Sequence, residues 1–201
     1  MRRVACKLTD WLIWLEAIPK EERELYEYAA YNFFITISPL MLAILFGIFM
    51  GHLMESIMLV TPFMIIRKFS GGYHMKNSTS CFLTSCFILI VCIILSCKLK
   101  YDMKMGIVVL LSSVSLITFS PLDSQNRRLD EEEKRQYKKM TCIFTMVFVA
   151  LFFLLAYIEQ YRFATCIAVG IALTSVLQIP CILRDIKYKA TKKVAKMSFH
   201  I

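Results

Sequence analysis

The chain is 201 residues long, 58% hydrophobic, with a mean hydropathy of +0.59 and a formal net charge of +9 at pH 7. Soluble domains run to about 45–50% apolar residues, so this composition excludes an ordinary soluble domain and points to the membrane. The basic residues gather between apolar runs, which is a topology signal and not a nucleic-acid footprint, so no nucleic-acid partner is expected.

Residues 1–27 mix acids and bases and hold no continuous apolar core, so no secretory signal peptide is expected. Leu8, Trp11, Leu12, Leu15 and Ile18 recur at helical spacing beside Arg2, Arg3 and Lys7, which predicts an amphipathic interfacial helix over 1–18. Pro19 ends it, and Lys20 to Glu27 reads as a charged helical turn.

From Tyr28 to Ile66 only Glu55 is charged. That length holds two tight spans, placed at 28–49 and 53–66 around Gly51-His52. Glu55 falls near the outer end of the second. Pro39 is expected to kink the first span, because proline removes a backbone donor. Gly47 and Gly51 form a GxxxG, a pattern that can seat another helix closely.

A polar segment follows, from Arg67 to Ser80. Then come a third span at 81–97, a short polar turn at 98–104 and a fourth span at 105–122. Residues 123–139 read as a solvated loop of mixed charge. A fifth span is expected at 140–158 and a sixth at 163–183, joined by a turn at 159–162, and residues from Arg184 form a basic tail. The chain therefore reads as one all-α polytopic membrane domain over 1–201: an N-terminal segment at 1–27, six spans within 28–183 and a tail at 184–201.

Lysine and arginine test this layout. Five lie in residues 1–27, three in 67–80, six in 123–139 and six in the tail, against three in 98–104 and one in 159–162. The positive-inside bias favours six spans with both termini in the cytoplasm. Residues 67–81 then face the cytoplasm.

The eight cysteines form no CxxC pair, and most lie inside apolar runs, where cysteine packs as a small hydrophobe. Neither a disulfide framework nor a metal site is expected, and no cofactor. Cys81 differs. It follows the capping residue types Asn77, Ser78 and Ser80, at the start of a predicted helix whose N-terminal partial charge favours a thiolate. Cys86 lies deeper in the apolar run and reads as a packed thiol. His52 and His200 have no cysteine near them in sequence and read as incidental.

His74 lies seven residues before Cys81. A histidine beside a cysteine can hold it as thiolate, the arrangement of a nucleophile and its base. On one straight helix the two would stand about 10.5 Å apart along the axis, against the roughly 3 Å a general base needs. A catalytic pair therefore requires the chain to fold back. Gly71-Gly72 supplies permissive backbone, and Asn77 to Ser80 favours a turn, so a re-entrant segment is expected. On the residues alone, an ordinary loop with a solvated histidine and a core cysteine is the favoured reading.

The stretch R-K-F-S-G-G-Y-H-M-K-N-S-T-S-C, residues 67–81, resembles the signature of the accessory gene regulator protein B (AgrB) family. That signature has an Arg, then Gly-Gly-x-His, then a Cys seven residues after the His. The later S-P-L-D-S-Q-N-R-R-L is similar to the family's Pro-x-x-x-x-Asn-basic turn. Chain length, span number and the amphipathic N-terminus fit as well.

The resemblance implies an integral membrane cysteine endopeptidase of quorum sensing in Gram-positive bacteria. Its substrate is a small AgrD-type propeptide, which is cleaved through a thioester on Cys81 and cyclised to a thiolactone or lactone. His74 and Cys81 inherit the catalytic roles. The family's propeptides carry an acidic C-terminal tail, and Arg67, Lys68, Arg127 and Arg128 are the cations that could hold it. The resemblance also implies a homodimer. The competing reading is a membrane transporter or sensor for a small peptide. The shortness of the chain beyond residue 184 weighs against a sensor with its own kinase, and the lack of mid-span ionisable residues weighs against a transporter.

Overall fold

Apolar runs of this length must satisfy their backbone hydrogen bonds internally, and each of them is helical. The computed structural model describes residues 2–72, 78–122 and 130–198. Among these residues seven α-helices form: α1 (Arg2–Trp14), α2 (Arg23–Phe49), α3 (Leu53–Ser70), α4 (Ser78–Lys98), α5 (Lys104–Phe119), α6 (Glu131–Tyr157) and α7 (Tyr161–Ser198). A 3-10 turn at Lys20–Glu22 precedes α2.

Four helical stretches are long and apolar enough to cross a membrane: Lys20–Phe49, Thr79–Lys98, Glu131–Tyr157 and Tyr161–Arg184. The shorter α5 has 16 residues, about 24 Å of helix. The 18-residue α3 carries Glu55, Arg67 and Lys68.

Helices α3 and α7 form the centre. On one side, Ile66 of α3 and Ala164, Ile167, Ala168 and Ile171 of α7 pack with Val109 and Leu116 of α5 and Phe148, Val149 and Phe152 of α6. On the other, Leu59, Val60 and Phe63 of α3 and Cys166 and Leu173 of α7 pack with Leu40 and Ala43 of α2 and Leu89 and Ile93 of α4. Gly170 lets the central pair meet. A Cβ there would lie 2.5 Å from the Leu59 carbonyl oxygen and 2.9 Å from Pro62 Cγ.

Several boundaries differ from expectation, each for a local reason. α1 stops at Trp14, four residues before residue 18. Glu16 adopts φ 55°, and the amides of Glu16 and Ala17 donate to the carbonyls of Ile13 and Leu12, a Schellman closure. α1 packs on α2 through Ala5 and Thr9, both fully buried, while Trp11, Trp14 and Leu15 face outward. Pro39 lies inside α2, and Pro62 and Pro180 likewise sit within helices.

α3 runs past residue 66 and takes in Arg67 to Ser70, two basic residues in a last turn being favourable there. It ends at Gly71, whose φ of 74° suits glycine. Ser78 and Ser80 are helical and not part of a turn. α6 begins at Glu131, so half of the expected 123–139 loop is helix. Asp130 and Glu133 form a capping box, with the Asp130 amide donating to Glu133 Oε2 at 3.2 Å, and three glutamates fill the first turn. α7 continues through the basic tail to Ser198, a stretch free of glycine after Pro180 and rich in helix-forming lysine and alanine.

The GxxxG separates into two roles. Gly47 is buried where a Cβ would collide with Ser56 Oγ of α3, so it seats the neighbouring helix. Gly51 has open space around it and φ 71°, and it closes α2 as His52 N–H donates to Gly47 O at 2.7 Å. The α2–α3 turn also holds an ion cluster. Arg162 Nη2 meets Glu55 Oε1 at 2.5 Å, and His52 Nδ1 stands 3.3 Å from both. Glu55 is only 8% exposed. His52 is therefore part of a charged lock between the starts of α3 and α7, and not incidental.

Candidate functional site

At the opposite end of α3 the chain brings together the end of α3, the start of α4 and the middle of α7. Cys81 is the fourth residue of α4, in its first turn, and is half-buried. It lines a recess of about 70 Å³ with Arg67 and Phe63 of α3, Thr84, Ser85, Ile88 and Leu89 of α4, and Leu177 of α7. Ligand pockets for whole small molecules are nearer ~300 Å³ or more. This recess takes only a few non-hydrogen atoms.

Arg67 is placed by packing. Its Cζ lies 5.8 Å from the centroid of the Phe63 ring one turn earlier, and its Nη1 is buried. Gly72 comes back over it. A Cβ on Gly72 would stand 2.6 Å from Arg67 Nη1. The two glycines thus have separate reasons. Gly71 needs its left-handed φ and lies against the Leu122 carbonyl, where a Cβ would approach to 2.6 Å, while Gly72 makes room for the guanidinium. Lys68, one position on, points elsewhere. It is exposed, with Nζ 5.6 Å from the Phe69 ring centroid, and does not line the recess.

The exit of α3 is tied down from two sides. Ser70 O accepts hydrogen bonds from Leu122 N–H at 3.1 Å and from Gln178 Nε2 at 3.3 Å. Gln178 Nε2 also donates to Ser120 Oγ at 2.9 Å. Phe69 stacks on Phe144 of α6 at 5.4 Å between centroids, with Tyr137 beside it at 5.9 Å. The segment that leaves α3 thus starts from a fixed point, adjacent to the start of the 121–129 turn.

Sequence reasoning singled out Arg67 and Cys81, and both line one recess. It missed Gln178, Thr84 and Ser85. The signal for Gln178 was available, since it is the one amide side chain in the 163–183 run. His74, Arg127 and Arg128 lie outside the described residues, as does the expected fold-back between Gly72 and Ser78. Cys86 is absent from the recess. Among the described residues no three His, Cys, Asp or Glu side chains gather in a way that could hold a metal ion.

The family model described as Accessory gene regulator B matches residues 2–179. The chain belongs to the AgrB family. A protein of Clostridium perfringens named "Putative AgrB-like protein" is 23% identical over 168 residues, covering 79% of this chain and 78% of the relative. A second AgrB-like protein of the same species is 26% identical over 128 residues, 59% of each chain. No solved structure matches. AgrB membership agrees with the apolar helices in making this a multi-pass membrane protein, and it connects the chain to quorum-sensing propeptide processing.

Proposed function

We propose that this protein is a membrane cysteine endopeptidase that cleaves the C-terminal part of an AgrD-type propeptide and releases a cyclic signal peptide. The observation that carries the reading is the shared recess. A thiol in the first turn of α4 and a buried guanidinium at the end of α3 converge on one small recess.

In this mechanism His74 takes the Cys81 thiol proton, and the resulting thiolate attacks the carbonyl at the processing site. The tetrahedral intermediate's negative oxygen is stabilised by donors near the recess, a role for which the α4 N-terminal amides and Arg67 are suited. Collapse breaks the C–N bond. His74 returns the proton to the leaving amine, the C-terminal fragment departs, and a thioester on Cys81 remains. A Cys or Ser within the peptide then attacks the thioester, closing a thiolactone or lactone and regenerating the thiol. The second attack is intramolecular, so high effective concentration favours it over water. Making a thioester from an amide is uphill, so turnover depends on removal of the fragment or product.

The remaining features follow from this reading. Six spans, α2 to α7, put both termini and the recess on the cytoplasmic side, as the lysine and arginine distribution favours. Trp11 and Trp14 on the outward side of α1 suit the headgroup layer. Arg67, Lys68, Arg127 and Arg128 supply positive charge for the propeptide's acidic tail, and the active form is a homodimer.

The test is co-expression of the tagged propeptide encoded beside this gene with wild type, Cys81→Ala and His74→Ala, followed by intact masses of both chains. A shortened peptide with wild type alone, together with a hydroxylamine-sensitive acyl adduct on Cys81, supports the endopeptidase. Cleavage that survives Cys81→Ala refutes it and favours a transport or sensor role.

A further inference from the structure

We infer that Gln178 is a positioning residue for the propeptide cleavage proposed above. It clamps the exit of α3, which launches the 71–77 segment, to the 120–122 corner after α5. The reasoning starts from burial. Gln178 is fully buried in the middle of an apolar stretch of α7, where an unpaired amide is costly. Its placement there needs partners that require it.

Those partners are the ends of two other helices. Nε2 donates to Ser70 O at 3.3 Å and to Ser120 Oγ at 2.9 Å. Ser70 O is a carbonyl in the last turn of α3, where the helix itself offers no donor. It receives one bond from Gln178 and one from Leu122 N–H at 3.1 Å. One buried oxygen thereby joins α3, α7 and the corner after α5. The amide orientation follows from the same atom, because turning the amide over would set Oε1 against the Ser70 carbonyl, oxygen to oxygen. As placed, Oε1 has no hydrogen-bond partner among the described residues. That is the cost of aiming both donors at the two helix ends.

The consequence is mechanical. Arg67 lies three residues before Ser70, and Gly71 lies one after it against the Leu122 carbonyl. Leu177, next to Gln178, lines the recess with Cys81. Releasing Ser70 frees the launch point of the segment that carries His74 while leaving Cys81 on α4. Gln178 acts through this geometry and does not line the recess itself.

The experiment replaces Gln178 by Met, which keeps length and volume and removes both donors. The purified full-length protein in nanodiscs is assayed for propeptide cleavage and for amide hydrogen exchange. We expect the maximal cleavage rate of Gln178→Met to fall about tenfold or more, the worth of one to two buried hydrogen bonds, with half-saturating propeptide concentration unchanged. Peptides covering 67–72 and 120–122 should exchange faster, while those in the middles of α3 and α7 should not. Ser120→Ala removes one partner without leaving a cavity of any size. It should speed exchange at 120–122 and lower the rate a few-fold, and it decides the question if Gln178→Met fails to fold. Unchanged exchange at 67–72 and 120–122 in either folded variant overturns the clamp. Faster exchange with full cleavage overturns the positioning role. Wild-type rates in His74→Ala and Cys81→Ala controls would sink the endopeptidase reading separately, since the exchange arm depends on no reaction.

Discussion

Replacing Gly170 with Ala tests whether the α3–α7 contact sets the frame of the site. The added Cβ would fall 2.5 Å from Leu59 O and 2.9 Å from Pro62 Cγ. The first of these is backbone and the second a ring carbon, so neither can swing aside. Ordinary contact begins near 3.4 Å, and α3 and α7 would have to separate by about 0.9 Å to reach it. Overpacking of this kind costs about 1–3 kcal/mol. Alanine recovers up to about 1 kcal/mol through its better helix propensity. The expected net effect is a loss of about 1–2 kcal/mol. Gly106→Ala is the matched control, because its Cβ would meet only Phe153 Cε1 at 3.9 Å. It should be neutral or slightly stabilising. Denaturant unfolding in one detergent measures both. The separation also moves Leu177 away from Phe63 across the recess, so Gly170→Ala should lower propeptide cleavage and Gly106→Ala should not. Equal stability for the two variants would refute the reasoning.

The charged lock at the other end should be separable from catalysis. Arg162→Met strips the nearly buried Glu55 carboxylate of its closest cation and should cost about 1–2 kcal/mol, discounted because the Arg162 side chain is 68% exposed. Adding Glu55→Gln should recover much of that loss in a double-mutant cycle, and strict additivity would refute the pairing. Gly72→Ala should displace the Arg67 guanidinium and also lower stability, since Gly72 has φ 157°, where a Cβ is strained. Cleavage should fall about tenfold to a hundredfold, as small misplacements at a reacting centre do, and wild-type cleavage would show that the guanidinium position is irrelevant. Arg67→Ala should cut cleavage more than Lys68→Ala. Raising salt should erase the Lys68→Ala effect but not that of Arg67, because only the exposed charge is screened. Similar salt slopes for the two variants would sink that distinction.

The sequence by itself determined the helices and the candidate chemistry. Uncharged runs in lipid have one way to satisfy their backbone, so seven helical segments were legible in order, with errors only at their ends. Some of those ends were also readable. Asp130 with three following glutamates is a capping signal, and Gly71 after two basic residues is a stop signal. The Arg67–Cys81 stretch stood out because charge and paired glycine are conspicuous between apolar runs. Which residues meet was decided only by tertiary structure. Gln178 lies 108 residues from Ser70 and 58 from Ser120, and Arg162 lies 110 from His52. No local periodicity relates positions so far apart. The packing of α3 on α7 at Gly170 brings these groups into contact, at one end as a charged lock and at the other as the frame of the recess that Arg67 and Cys81 share. Local rules choose a helix because its hydrogen bonds close within a few residues. A site assembled from the end of α3, the start of α4 and the middle of α7 depends on how far apart and in what register those helices pack, which their individual sequences do not state.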